Sequence, residues 1–165
     1  MNAQVINSRQ FRDALSHFAS GITIIASMID GKPVGFTCQA FYSVSVEPPM
    51  VSFSVMKSST SWPKIRQGGR FCVNVLSGRQ VQLSDTFAKS AIDRWADVVW
   101  NTTEGGNPVI EGTLLWLDCR LHAEHEAGDH WVIIAEVNQI GEPRGDEHSS
   151  PLLYYRGRYH QLATG

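Results

Sequence analysis

The stretch from Pro33 to Val55 constrains this chain more than any other part of it. It opens behind an Asp30-Gly31 pair, stops at Pro48-Pro49, and resumes as Val51, Phe53 and Val55 alternating with Ser52 and Ser54. An Asp-Gly pair turns a hairpin tightly. Two adjacent prolines cannot donate to a strand ladder, so they mark a bend or a sheet edge. The period of two is that of a half-buried strand, with the serine face expected to be free to meet a polar ligand. Small residues and hydroxyls along the stretch suit a site built on sheet edges.

The rest of the chain supplies more strands than helices. Asn7 or Ser8 can cap a helix carrying Phe11, Ala14, Leu15 and Phe18 at three- and four-residue spacing, with Gly21 as its stop and one face expected on the sheet. Ile22 to Met28 is β-branched and apolar, a strand leading into the Asp30-Gly31 turn. Ser61 and Pro63 open a short helix closed by Gly68-Gly69. Phe71, Val73 and Val75 alternate with Cys72 and Asn74, and Gln80 to Ala88 reads as a helix. Ala91 to Asn107, with Trp95 and Trp100, reads as irregular cover over the site or core. Leu115 to Ala123 and Trp131 to Val137 make a long hairpin about Gly128-Asp129. Pro151 to Tyr159 reads as a last strand bent at Gly157. Six or seven short strands joined mostly by hairpins point to an antiparallel barrel rather than a doubly wound parallel sheet.

A chain of 165 residues suits one domain, expected to span 1–165 with a core at about 8–162. A net charge of −2 argues against nucleic acid as the main partner. Charged residues at 18% leave apolar surface to cover, which favours a dimer. The three cysteines Cys38, Cys72 and Cys119 show no C-x-x-C spacing, so neither a disulfide framework nor a zinc site is indicated, and a reducing cytoplasm is the expected home. The start of the chain lacks the order of a secretory signal, and no apolar run is long enough for a membrane span.

G-x-G-x-x-G after a strand, G-x-x-x-x-G-K-[ST], H-E-x-x-H and G-x-S-x-G are all missing, which removes the usual support for Rossmann, P-loop, zincin and nucleophile-elbow chemistry. On a strand, His122, Glu124 and Glu126 share one face and His125 the other, a poor tetrahedral set, so no metal is expected. Lys57-Ser58-Ser59-Thr60-Ser61-Trp62 gathers one cation and four hydroxyls before a helix start. It reads either as a phosphate cradle or as a polar turn capping the helix. Gly128-Asp129-His130 alone reads as a hairpin turn, and Tyr154, Tyr155 and Tyr159 as core or interface aromatics.

Taken together, several segments resemble the short-chain flavin reductase family, the reductase partners of two-component flavin-dependent monooxygenases. They are Phe11-Arg12, Phe18-Ala19-Ser20-Gly21-Ile22-Thr23, Pro33-Val34-Gly35-Phe36-Thr37 with Ser43-Val44-Ser45-Val46-Glu47-Pro48-Pro49, Gly69-Arg70-Phe71-Cys72-Val73-Asn74-Val75-Leu76, Gly128-Asp129-His130 and Pro151-Leu152-Leu153-Tyr154-Tyr155-Arg156-Gly157. The resemblance implies a split β-barrel that pairs as a homodimer, and an enzyme moving hydride from NADH or NADPH to FMN or FAD for a separate monooxygenase.

It also implies a set of site residues. Pro33-Val34-Gly35-Phe36-Thr37-Cys38-Gln39-Ala40-Phe41 would bind the cofactor, with the backbone from Gly35 onward along the isoalloxazine. Ser54-Val55-Met56 and Lys57-Ser58-Ser59-Thr60-Ser61-Trp62 would hold ribityl and phosphate, and Phe87 would lie near the flavin. Asp129 and His130, with Tyr154, Tyr155, Arg156 and Gly157, are implied for the nicotinamide donor, His130 being the expected catalytic residue. The competing expectation is a non-catalytic flavin-binding or electron-carrying protein of the same barrel type.

Overall fold

The computed structural model describes residues 6–89, 93–143 and 150–162. In chain order these form α1 (Ser8–Leu15), β1 (Ser20–Gly21), β2 (Thr23–Ile29), β3 (Lys32–Cys38), β4 (Phe41–Ser45), β5 (Met50–Met56), α2 (Trp62–Gly68), β6 (Arg70–Val75) and α3 (Val81–Ala88). Then follow β7 (Trp100–Thr102), β8 (Pro108–Ile110), β9 (Leu115–Ala127), β10 (His130–Ile140), β11 (Leu153–Tyr155) and β12 (Arg158–His160).

The hairpins expected from turn chemistry are present. Asp30 and Gly31 take φ of 50° and 74°, the pair of left-handed residues that a tight two-residue turn needs, and join β2 to β3. Gly128, at φ 60°, lies in the turn between β9 and β10, which pair from His130↔Ala127 to Ile140↔Leu117. The main sheet runs β3-β2-β6-β9-β10-β5-β4, antiparallel throughout. β3 and β4 are consecutive in the chain yet sit at opposite ends of this order. The sheet therefore curls on itself, and the Cys38 thiol at the end of β3 reaches the Ser54 carbonyl of β5 at 3.6 Å across the seam. Among the described residues β3 has β2 as its one ladder partner.

Inside the barrel, Phe53 is the hub: its ring meets Trp62 at 5.4 Å and Phe71 at 5.5 Å, both edge-on. Ile25, Ile65, Val73 and Ile133 close around them, all fully buried. A second core lies on the other face of β2, where Ile22, Ile24 and Leu76 pack with Phe87 of α3, Ile110 of β8 and Leu152. Each such side chain contributes on the order of 1.5–3 kcal/mol through removal from water. β2 and β6 are thus covered on both faces, and the two cores fix α2 and α3 relative to β3.

Five expectations are corrected. α1 is capped as expected, Asn7 and Gln10 bonding each other's backbone N–H, but none of its residues is buried, and Phe11 and Leu15 are more than half exposed. Its face does not lie on the sheet within one chain. The helix ends at Leu15, and Gly21 sits in β1. Ser52 is buried, because its hydroxyl donates to the Ile133 carbonyl at 2.8 Å, so the serine face of β5 is open only at Ser54, which lines a cleft. The last segment is a hairpin, β11 to β12, turned at Arg156 (φ 49°) and Gly157 (φ 76°), rather than one bent strand. Within the expected irregular cover lies the ribbon β7–β8. Buried Asn74 takes the Ile110 N–H at 2.8 Å, and buried Asp118 accepts from Thr103 and Asn107 at 3.0 and 2.7 Å, which ties the ribbon to the barrel.

Candidate functional site

The free edge of β3 is where the site begins. The Gly35 carbonyl turns toward that edge, accepting from the Arg94 guanidinium at 2.7 Å and from the Ser61 hydroxyl at 3.4 Å. Strand alternation gives the main-chain groups of Thr37 the same direction. Gly35 itself admits no side chain, since a Cβ there would stand 2.9 Å from the Ile25 carbonyl and 3.1 Å from both Phe87 and Trp95.

Along this edge opens a cleft of about 420 Å³. One wall is residues 36–40 and another is 54–56 at the end of β5. The turn 58–61 forms one side, Phe87 and Ala88 of α3 the other, and Arg94 and His130 stand within it. A second cleft, about 660 Å³, meets the first at Gln39 and His130 and is bounded by α1 and by Tyr154, Arg156 and Gly157. A third, about 250 Å³, meets the first at Thr60, Ser61 and Arg94 and holds Pro33, Val34 and Gly35. Segments far apart in the chain, 33–40, 54–56, 58–61, 87–88 and His130, therefore line a set of adjoining clefts.

Several side chains in the groove are already committed. Thr37 donates its hydroxyl proton to the Ser84 carbonyl at 2.6 Å, leaving only lone pairs for a guest. Ser84 in turn bonds Tyr159, whose hydroxyl reaches Asp85 at 2.8 Å, so α3 is pinned to the C-terminal hairpin. Ser59 accepts from the Trp62 N–H at 3.2 Å, capping α2 in the place of Ser61. Burial pushes the Cys38 thiol up to about 12, so it stays protonated at ordinary pH and is no nucleophile. Asp129 accepts from His130 Nδ1 at 2.7 Å, and this pairing holds the Asp129 carboxyl below the usual range. That orientation leaves Nε2 for the groove.

Five of the expected binding residues stand outside these walls, Asp129 among them, which meets the groove only through its bond to His130. The Lys57 ammonium pairs with Glu126 of β9 and lies 5.3 Å over the Trp131 ring, while its backbone N–H ties to the Asp129 carbonyl. Trp62 is buried in the barrel, its indole N–H donating to Glu124 at 2.7 Å. Phe41 packs against the same core. Tyr155 faces His17 and His160 edge-on. His122 bonds Glu136 at 3.1 Å, and among the described residues no three His, Cys, Asp or Glu side chains gather as metal ligands.

Arg94 is the residue that sequence reasoning did not single out. Its guanidinium donates to Gly35 and to Ser61, the latter at 2.9 Å, and to the Lys89 carbonyl at 2.7 Å. Among the described residues no carboxylate pairs with it. Burial lowers its pKa, yet an arginine stays charged. An unneutralised cation beside hydroxyls, where two clefts adjoin, has the chemistry to receive an anion. The only signal in the sequence was its place in a Trp-containing segment read as cover.

Residues 15–163 match the model of the flavin reductase like domain. The chain belongs to that family. Among flavin reductase relatives, the reductase subunit HsaB of a flavin-dependent monooxygenase from Rhodococcus jostii is 42% identical over 157 residues, covering 95% of this chain and 79% of that protein. The NADH-dependent FMN reductase SmoA of Agrobacterium fabrum is 38% identical, covering 93% of this chain and 85% of its own. In three dimensions the chain superposes on nitrilotriacetate monooxygenase component B from Mycobacterium thermoresistibile with a TM-score of 0.91 at 40% identity, covering 98% and 89% of the two chains. The curled sheet described above is thus the split barrel of the flavin reductases.

Proposed function

We propose that this chain is an NAD(P)H:flavin oxidoreductase that moves hydride from NADH or NADPH to FMN or FAD and supplies reduced flavin to a separate monooxygenase component. The observation that carries the reading is the meeting of a free strand edge, a hydroxyl turn, an unneutralised arginine and His130 along one groove in a flavin reductase fold.

The residues present suit a flavin. Main-chain groups on the free edge of β3 would meet the polar rim of the ring, where preorganised donors favour developing negative charge. Ser58, Ser59, Thr60 and Arg94 would hold the phosphate, with Arg94 replacing the expected Lys57 as its cation. Met56 and Phe87 would supply apolar contact. When bound, flavin supplies the hydride acceptor and the nicotinamide the donor, so the protein itself needs no general base.

What remains for the chain is to bring the two ligands together. His130 stands on both large clefts and would position the nicotinamide carboxamide through Nε2, while Asp129 holds the ring from Nδ1. Tyr154, Arg156 and Gly157 would receive the rest of that nucleotide in the second cleft. A flavin handed to another protein must be released, and micromolar affinity, about −8 kcal/mol, is enough to hold it between turnovers.

The exposed apolar residues of α1 and of β4, Phe11, Leu15, Tyr42 and Val44, support a homodimer as the working form. The three free thiols suit a reducing cytoplasm.

Steady-state NADH and NADPH oxidation, assayed with FMN, FAD and riboflavin in turn, tests the proposal. Consumption of the nicotinamide that depends on added flavin is expected, and His130→Ala lowers turnover while flavin affinity stays near wild type. Flavin binding without nicotinamide consumption would instead make the chain a carrier.

A further inference from the structure

We propose that the cleft beyond Arg94 is a subsite for the second phosphoryl group and nucleoside of a dinucleotide flavin, with Lys64 as its cation, so that FAD is preferred to FMN. This rests on the flavin reading of the main groove and extends it.

β3 underlies the whole groove, from Gln39 just past its end to Pro33 near its start. At about 3.3 Å per residue, six steps measure about 20 Å. The hydroxyls of residues 58–61 and Arg94 stand part-way along it, where the 420 Å³ cleft gives way to the 250 Å³ cleft. A mononucleotide flavin ends at its single phosphate and has nothing to place beyond that boundary. A dinucleotide flavin continues with a second phosphate, a ribose and a flat purine.

Beyond the boundary the walls suit those groups. Lys64, exposed near the start of α2, makes no ion pair with any described residue. Arg94 lines the same cleft with Thr60 and Ser61, so a second phosphate there would have two cations to meet. The one carboxylate on this wall, Asp93, accepts from the Trp95 N–H at 3.1 Å. Trp95, Pro33 and Val34 offer an aromatic and apolar wall to a purine.

The test is equilibrium titration of FMN, FAD and riboflavin by flavin fluorescence on wild type, Lys64→Ala and Lys64→Glu. Wild type is expected to bind FAD more tightly than FMN. The ratio of the FAD to the FMN dissociation constant is expected to rise about fivefold in Lys64→Ala, the scale of one exposed charge contact, and further in Lys64→Glu. Equal losses for FMN and FAD would assign Lys64 to the phosphate that both flavins share, and an unchanged ratio would leave the cleft without this role; either overturns the inference while flavin reduction stands. Failure of wild type to bind any flavin would remove both readings.

Discussion

Lys57 and Arg94 show how a cation is chosen by its neighbours rather than by its place in a motif. Lys57 lies inside the hydroxyl run, but Glu126 across the β9–β10 hairpin and the Trp131 ring draw its ammonium away. Arg94 comes from a segment with no strand or helix pattern, yet it reaches Gly35 and Ser61 and meets no carboxylate. Arg94→Gln is therefore expected to weaken FMN binding about tenfold, the loss of one charge-assisted contact in a partly solvated site. Lys57→Ala should leave the constant within about twofold, since its loss breaks an exposed pair. Fluorescence titration of both variants checks the assignment, and the reverse ranking would return the phosphate to Lys57. Residue identity made the hydroxyl turn legible in sequence. The direction in which a flexible side chain turns depends on partners dozens of positions away, which no local pattern records.

At the level of elements, legibility followed period and turn chemistry. β2–β3 and β9–β10 could be read because two-residue alternation and Asp-Gly or Gly-Asp turns act locally. β7 and β8 are three residues each, too short to show a period, and depend on the buried side chains of Asn74 and Asp118 for their position. Ser52 defeated the alternation rule because a barrel strand can bury its polar face when a neighbouring carbonyl takes the hydroxyl proton. Gly35 is where element packing and site meet. Gly35→Ala would drive a Cβ onto the Ile25 carbonyl, and backbone cannot step aside as a side chain can. A cost of about 1–3 kcal/mol is expected from such overpacking, at about 2–4 °C of melting temperature per kcal/mol for a chain of this size. Displacement of Phe87 and Trp95 should also weaken flavin binding. Differential scanning fluorimetry with and without FMN measures both effects.

For the whole molecule, the barrel class was legible from hairpin-rich connectivity, while α1 was not. Its cap at Asn7 or Ser8 and its apolar spacing were read, but among the described residues no part of the chain buries Phe11 and Leu15. A second copy covers them in the proposed homodimer. Sedimentation equilibrium is expected to give twice 18.3 kDa at micromolar concentration. A mass of one chain would leave Phe11 and Leu15 without that explanation.

The open side of β3 carries one more consequence. Main-chain groups that can greet a ring can equally greet another strand, and a sheet margin left bare is a template for accretion. Arg94 and α3 shield part of that margin, and a ligand lying along it would shield the remainder. Stripped and concentrated, the protein should therefore be prone to clumping, and the same nucleotide that it reduces should act as its preservative.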